Sequence, residues 1–160
     1  MDLAALNLAL KTRAYTDTGA GGLRNADSPL ITGWYPTRFD PSLQFPYVVT
    51  SIAASASDNA FSLDVGRVTM YFHIWHQKEG TDDENPTLTC SNIIKRIYGN
   101  WASSSPTVAP TWGFHRHPLT IASGTWRVAG ALQCTAPLPI ENHEPRYLHY
   151  VMPFAFFLNQ

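Results

Sequence analysis

Residues 65–76, VGRVTMYFHIWH, alternate apolar side chains with polar and amphipathic ones along their whole length. A period of two is typical of a β-strand, whose successive side chains point to opposite faces of a sheet. One face is predicted to be core and carries Val68, Met70, Phe72 and Ile74. The opposite face carries Arg67, Thr69, Tyr71, His73 and Trp75. Its aromatic and polar character suits a partner molecule or a second layer of structure.

Further strands are predicted on both sides of this stretch. The segment YVVTSIAA, residues 47–54, is the expected antiparallel partner of 65–76. The intervening SASDNAFSLD, residues 55–64, is predicted to be a loop too long for a tight hairpin. Four more segments have the composition of strands, namely 31–35, 111–117, 124–134 and 146–158.

The last of these strands, RYLHYVMPFAFFL, contains conflicting signals about its position in the sheet. Its length and aromatic content favour a central strand that is covered on both faces. Pro153 favours an edge or a bulge, because proline has no N–H to donate to a ladder. The sequence leaves both positions open. Residues 135–145, TAPLPIENHEP, are predicted to be a loop because they contain three prolines.

Two helices are predicted, over residues 2–13 and from Asn85 to about Tyr98. Asn85 followed by proline is typical of a helix N-terminus, and the second helix places Cys90, Ile93 and Ile97 on one apolar face. The order helix, strands, helix, strands predicts one α+β domain over 1–160, with a mainly antiparallel sheet flanked by helices.

The composition limits the class of partner. The formal net charge is −1, three lysines occur in all, and charged residues make up 14% of the chain. Binding DNA as a main task needs clustered Lys and Arg, so it is not expected. Aromatic residues reach 12%, and low charge with many aromatics suits a surface covered by another protein. No apolar stretch approaches the roughly 20 residues needed to cross a bilayer, and the first residues do not resemble a secretory signal.

The sequence offers no convincing catalytic or metal site, so neither an enzyme activity nor a cofactor is expected. His115 and His117 share a predicted strand face, but no third ligand accompanies them at metal-binding spacing. Cys90 and Cys134 are predicted to be reduced thiols, since no paired-cysteine spacing occurs. The glycine-rich stretch TDTGAGGLRNADSP, residues 16–29, lacks the Lys-Ser/Thr of a phosphate loop and is predicted to be a flexible loop.

The order of these motifs resembles the tail terminator, or tail completion, family of tailed bacteriophages. In that family a Pro-Tyr-Val/Ile-Val strand precedes an alternating strand that ends in Ile-Trp, and a helix follows. The first motif is matched here by Pro46, Tyr47, Val48 and Val49. The second is matched by Val68, Met70, Phe72, Ile74 and Trp75. The segment 99–145 is longer and richer in Trp and Pro than the resemblance leads us to expect.

The resemblance implies a structural subunit of the virion, made in the host cytoplasm. Such subunits form a ring, usually of six copies, that caps the tail tube and joins it to the head-side connector or stopper protein. DNA would pass nearby without specific binding. Alternatives are another head-to-tail adaptor or stopper, a tail tube subunit, and a small enzyme or ligand-binding protein.

A ring also needs one contact patch on each side of the subunit. Aromatic side chains on exposed strand faces are the candidates for these patches, namely Tyr71, Trp75, Trp112 and Trp126. An acidic loop that faced the lumen would repel the phosphates of passing DNA. The candidates for such a loop are Glu79, Asp82, Asp83 and Glu84.

Overall fold

Two α-helices and six β-strands make up the residues that the computed structural model describes, which are 3–19, 22–36, 39–60, 63–78, 84–98, 127–133, 138–140 and 146–159. In chain order these elements are α1 (Leu3–Thr16), β1 (Gly33–Tyr35), β2 (Tyr47–Ala60), β3 (Leu63–Gln77), α2 (Glu84–Tyr98), β4 (Arg127–Gln133), β5 (Leu138–Ile140) and β6 (Tyr147–Asn159). Neither described helix has the length and hydropathy that crossing a membrane requires.

The strands form one mainly antiparallel sheet in the order β1-β2-β3-β6-β4, and β5 also pairs with β6. Only the short β1 runs parallel to its neighbour β2, whereas the other described pairings are antiparallel. The predicted α+β class and the antiparallel pairing of β2 with β3 are therefore confirmed. The two long strands β3 and β6 lie side by side in the interior of the sheet.

The predicted loop over residues 55–64 is wrong, because β2 and β3 continue through it. Their register runs to Ala60 opposite Leu63, so only residues 61 and 62 lie between the two strands. The small and polar side chains there gave no strand pattern. The ladder forms nevertheless, because it depends on backbone groups, which every residue other than proline supplies in full. A bulge between Ile52 and Ala54 shifts the register along the pair.

Other element boundaries differ by a few residues from those expected. Helix α1 continues to Thr16, and α2 begins at Glu84, one residue before the predicted cap. Strand β1 occupies only the last three residues of the predicted segment 31–35. The proline-rich stretch predicted to be a loop contains the short strand β5. The predicted strand 111–117 lies outside the described residues.

Pro153 lies in the interior strand β6, opposite Tyr71 of β3. On the other side of β6, β5 pairs with residues 149–151 and β4 with residues 154–159. Within the described residues, positions 152 and 153 therefore fall between two partner strands. A nitrogen that faced this interruption would have no described ladder partner to lose, so a long strand can be both central and proline-containing.

Both helices pack on the same face of the sheet. The residues at the centre of this core are fully buried, on the strands and on the helices alike, while Leu148 and Tyr150 of β6 are partly buried. From the sheet, the core includes Val68, Met70, Phe72, Ile74, Met152, Phe154 and Phe156. From the helices, it includes Leu6, Leu10, Ala14, Cys90, Ile93 and Ile97. Burial raises the pKa of the Cys90 thiol to about 12, so this cysteine is an inert core residue.

The described residues after α1, which were predicted to form a flexible loop, are held by a partly buried ion pair. Both carboxylate oxygens of Asp17 accept hydrogen bonds from the Arg96 guanidinium of α2, and the distance from Arg96 Nε to Asp17 Oδ2 is 2.8 Å. The Leu23 backbone N–H also donates to Asp17 Oδ2, at 2.8 Å. Arg24 donates to the carbonyls of Ile31 and Thr32. Gly22 is required by close approach, since a Cβ there would lie 2.4 Å from the Asp17 carbonyl oxygen.

Candidate functional site

The sheet face that points away from the two helices contains most of the distinctive polar and aromatic side chains, and we call it the second face. Alternation along β2, β3 and β6 brings Ser51, His73 and His149 together there, with Trp75 beside them. One end of this face is covered by residues 39–46, which precede β2. Towards the other end, Tyr71 is exposed.

The covered end is formed by an aromatic cluster contributed by the covering segment and three strands. We call Phe39, Phe45, Tyr47, Trp75 and Tyr147 the aromatic cluster. Phe39 has its ring centroid 4.2 Å from that of Trp75 and 5.2 Å from that of Tyr147, and Phe45 lies 4.9 Å from Tyr47. The Tyr47 hydroxyl donates to the Asp40 carbonyl at 2.9 Å and accepts from the Asp40 N–H at 3.0 Å. Burial raises the pKa of Tyr47, so this phenol stays neutral.

A continuous line of hydrogen bonds runs from Ser51 through His73 to His149. Ser51 Oγ lies 2.8 Å from His73 Nε2, and His73 Nδ1 lies 2.9 Å from His149 Nε2. The two imidazole planes differ by 24° and their centroids are 5.2 Å apart. Two rings whose facing nitrogens are 2.9 Å apart can have centroids this far from each other only if the N···N contact lies near the line that joins the ring centres. The rings meet edge to edge, which is favourable for an N–H···N hydrogen bond.

The indole of Trp75 also stacks on the imidazole of His149. The two rings are parallel within 8° and their centroids are 3.8 Å apart. Phe39 contacts Trp75 in turn, so the imidazole pair is connected through Trp75 to the segment that covers the sheet. The predicted interface candidate Trp75 therefore packs within its own subunit, between Phe39 and His149.

Burial keeps both imidazoles neutral at neutral pH. It lowers the pKa of His73 and lowers that of His149 to about 4, with the positive charge of a protonated His73 as the second cause for His149. A neutral pair shares one N–H between its facing nitrogens. The hydroxyl of Ser51 adapts to either tautomer, since it donates to His73 Nε2 when that nitrogen is bare and accepts when it is protonated.

A hydroxyl followed by two imidazoles could also be a catalytic nucleophile, its general base and a group that orients the base. Ser51, however, lies within the paired strand β2 opposite Tyr71, whereas nucleophilic serines sit where free backbone N–H groups converge to stabilise an oxyanion. Within the described ranges, no three His, Cys, Asp or Glu side chains come together to bind a metal. The arrangement is best suited to holding side chains in place and sharing a proton. His115 and His117 lie outside those ranges.

Beyond the covered end, the second face has an open patch made of Tyr71, Arg67 and Phe157. Tyr71 and Phe157 are each 38% exposed, and Arg67 lies over the Phe157 ring with its guanidinium carbon 5.9 Å from the centroid. The open patch combines two aromatic rings with one arginine. These residue types are enriched at the centres of protein interfaces.

The structure locates the remaining predicted site residues only in part. Trp112 and Trp126 lie outside the described residues, as do Glu79, Asp82 and Asp83 of the acidic loop. Glu84 is the first residue of α2, so this end of the acidic run is helical. The lumen-facing position of the loop stays a prediction.

Sequence reasoning did not identify the pairing of His73 with His149, or the contact of Ser51. The available signal was that each histidine occupies an alternating position of a long predicted strand. This signal predicts the pairing only if β3 and β6 are known to be neighbours with Trp75 opposite His149. That register is seen only in the fold.

The stability of the protein is expected to fall on acidification because of this pair. The pKa of His149 is lower in the folded chain, at about 4, than the ordinary value of 6.5, so the unfolded chain binds more protons between these two values. The free energy of unfolding should therefore be unaffected above pH 6.5, decrease as the pH falls towards 4, and lose about 2 kcal/mol in total, allowing for partial contact with solvent. Urea unfolding at a series of pH values measures this loss, which should be smaller in His149→Gln, where only the lowered pKa of His73 contributes from this pair.

No protein-family model matches the chain, and a search of curated proteins finds no match either.

Proposed function

We propose that this chain is a structural subunit that assembles with copies of itself into a ring, in the role of a phage tail terminator. The open patch supports this proposal most directly, because it exposes two aromatic rings and an arginine on a rigid interior part of the sheet. A side chain on paired strands is held in a fixed direction, which a repeating contact between identical subunits requires.

The charge of the chain is consistent with such a ring. Charged residues make up 14% of the sequence and the net charge is −1. Interfaces exclude Lys, Glu and Asp from their centres, and a channel for DNA should not bind its phosphates tightly. In this proposal six copies cap the tail tube and bind the head-side connector in the virion, while DNA passes through without specific contacts.

The size of the purified protein tests the proposal. Native mass spectrometry at micromolar concentration should give one discrete multiple of 17.8 kDa, and six copies is the expected value. Long, open-ended tubes would instead indicate a tail tube subunit. A ring that forms only on a purified portal or connector would indicate an adaptor or stopper. A monomer under all conditions would contradict the proposal and favour a small ligand-binding protein or enzyme.

Replacing Tyr71 by glutamate should separate the role of the open patch from general effects on folding. A carboxylate at the centre of an interface has to be desolvated without a partner, so we expect the concentration for half assembly to rise at least about 10-fold. The matched control is Tyr15→Glu, because Tyr15 is also 38% exposed but lies on α1, away from the second face. Sedimentation velocity of both variants measures the effect. Equal assembly of the two variants would argue against the open patch as the contact surface.

A further inference from the structure

We propose that His73 and His149 form a proton clasp, which accommodates one added proton and opens on the second, releasing Phe39 of the covering segment from Trp75 on the second face. The proposal concerns a single subunit and does not depend on ring formation. It starts from the line Ser51–His73–His149 and from the parallel stack of His149 on Trp75.

The first added proton fits the existing hydrogen bonds. When His73 is protonated, both of its ring nitrogens become donors, and each already faces an acceptor. Nδ1–H points at the bare Nε2 of His149, 2.9 Å away, and Nε2–H points at the Ser51 hydroxyl oxygen, 2.8 Å away. The singly protonated pair therefore keeps its geometry.

The second proton does not fit. Protonating His149 Nε2 places an N–H against the N–H of His73 Nδ1, at a separation that normally belongs to one shared hydrogen, and two positive charges then meet edge to edge. The pair can relieve this conflict only if one ring turns away. His149 is the ring that leaves its position, because Ser51 continues to hold His73 by the opposite nitrogen.

No nearby acid compensates for the second charge among the described residues. The described side chains around the pair are those of Val49 and Ser51 on β2, Tyr71 and Trp75 on β3, and Val151 on β6. None of these carries a carboxylate. The nearest acid described in the covering segment is Asp40, whose carboxylate accepts from the N–H and hydroxyl of Ser42.

Movement of His149 is transmitted to the covering segment through the indole. Trp75 loses the ring on one of its faces, and Phe39 packs on Trp75 with a centroid distance of 4.2 Å. Phe39 also contacts Tyr147, which lies two residues from His149 on β6. Turning His149 therefore disturbs the Trp75 ring on which Phe39 packs, while Tyr147 stays in place on β6.

NMR spectroscopy of the full chain with labelled histidine and aromatic side chains tests the proposal. Between pH 7 and pH 3.5, the ring contacts between Phe39 and Trp75 should disappear when His149 gains its proton, with a midpoint near pH 4. The contacts between Phe72 and Phe154 on the core face should persist through this transition. Loss of both sets of contacts at the same pH would mean global unfolding and would overturn the proposal.

Two variants complete the test. In His149→Gln, which cannot take up the second proton, the Phe39–Trp75 contacts should persist to a pH at least about one unit lower than in the unsubstituted chain. His76→Gln is the matched control, because His76 lies on the neighbouring strand β3 and contacts only the Gln77 carbonyl among the bonds described for it. It should behave like the unsubstituted chain. If His149→Gln does not fold, the titration of the unsubstituted chain still decides, since Phe39–Trp75 contacts that survive protonation of both rings would overturn the clasp.

Discussion

Replacing Phe72 by alanine is expected to lower the free energy of unfolding by about 4 kcal/mol. The Phe72 side chain is fully buried at the centre of the core face. Its ring stacks on Phe154 with a centroid distance of 4.9 Å and meets Trp34 edge-on at 5.4 Å. Alanine removes these contacts and leaves a cavity between the sheet and the helices that the paired strands cannot close. Urea unfolding followed by far-UV circular dichroism measures the change.

Phe157→Ala is the matched control, because the residue type is the same but the ring lies on the second face and is 38% exposed. At a concentration at which the subunit is monomeric, this substitution should cost less than about 1 kcal/mol. Similar losses for the two variants would contradict the assignment of the core to the helix-covered face.

Replacing Asp17 by alanine is expected to cost about 3 kcal/mol, because it leaves the Arg96 guanidinium without its carboxylate in a partly buried place. The carboxyl side chain is 3% exposed and also accepts from the Leu23 backbone N–H, which would lose its partner. The pair joins the segment after α1 to α2, so the loss should also loosen the contact between the two helical regions. Thermal and urea unfolding measure it.

Two comparisons make this prediction specific. Asp27→Ala, at an exposed position of the same segment, should change stability by less than about 0.5 kcal/mol. Combining Asp17→Ala with Arg96→Met should recover part of the loss, because the partly buried positive charge that faced Asp17 is then removed as well. A double variant that is less stable than Asp17→Ala alone would show that Arg96 stabilises the fold mainly through other contacts.

The strands that could be predicted are those in which the pattern of apolar side chains along the sequence indicates burial. The alternation from Val68 to Ile74 identified β3 and its core face, and the apolar run 146–158 located β6 to within one residue at each end. The hairpin over residues 55–64 was not predictable, because serine, aspartate and asparagine there resemble a loop while their backbone groups form a ladder. The side chains of a short segment therefore do not show whether its backbone pairs with another strand.

The candidate site depended on information that no local pattern contains. His73 and His149 are 76 residues apart, and they meet because β6 pairs with β3 rather than with another strand. Tyr71 lies on the second face, as its alternating position predicts, and it is exposed, while its role at an interface stays a prediction. Trp75, on the same face, packs between Phe39 and His149 because the covering segment lies over only one end of the sheet.

The parallel pairing of β1 with β2 limits how far the covering segment can move away from the sheet. Gly33 lies opposite Tyr47 and Tyr35 lies opposite Val49, so the chain leaving β1 has to return along the sheet before β2 begins. The covering segment, residues 39–46, therefore lies in a connection whose two ends, Tyr35 and Tyr47, are fixed to neighbouring strands at the same edge of the sheet. Loss of the contact between Phe39 and Trp75 would loosen this connection locally, while its two paired ends would keep it above the surface it covers.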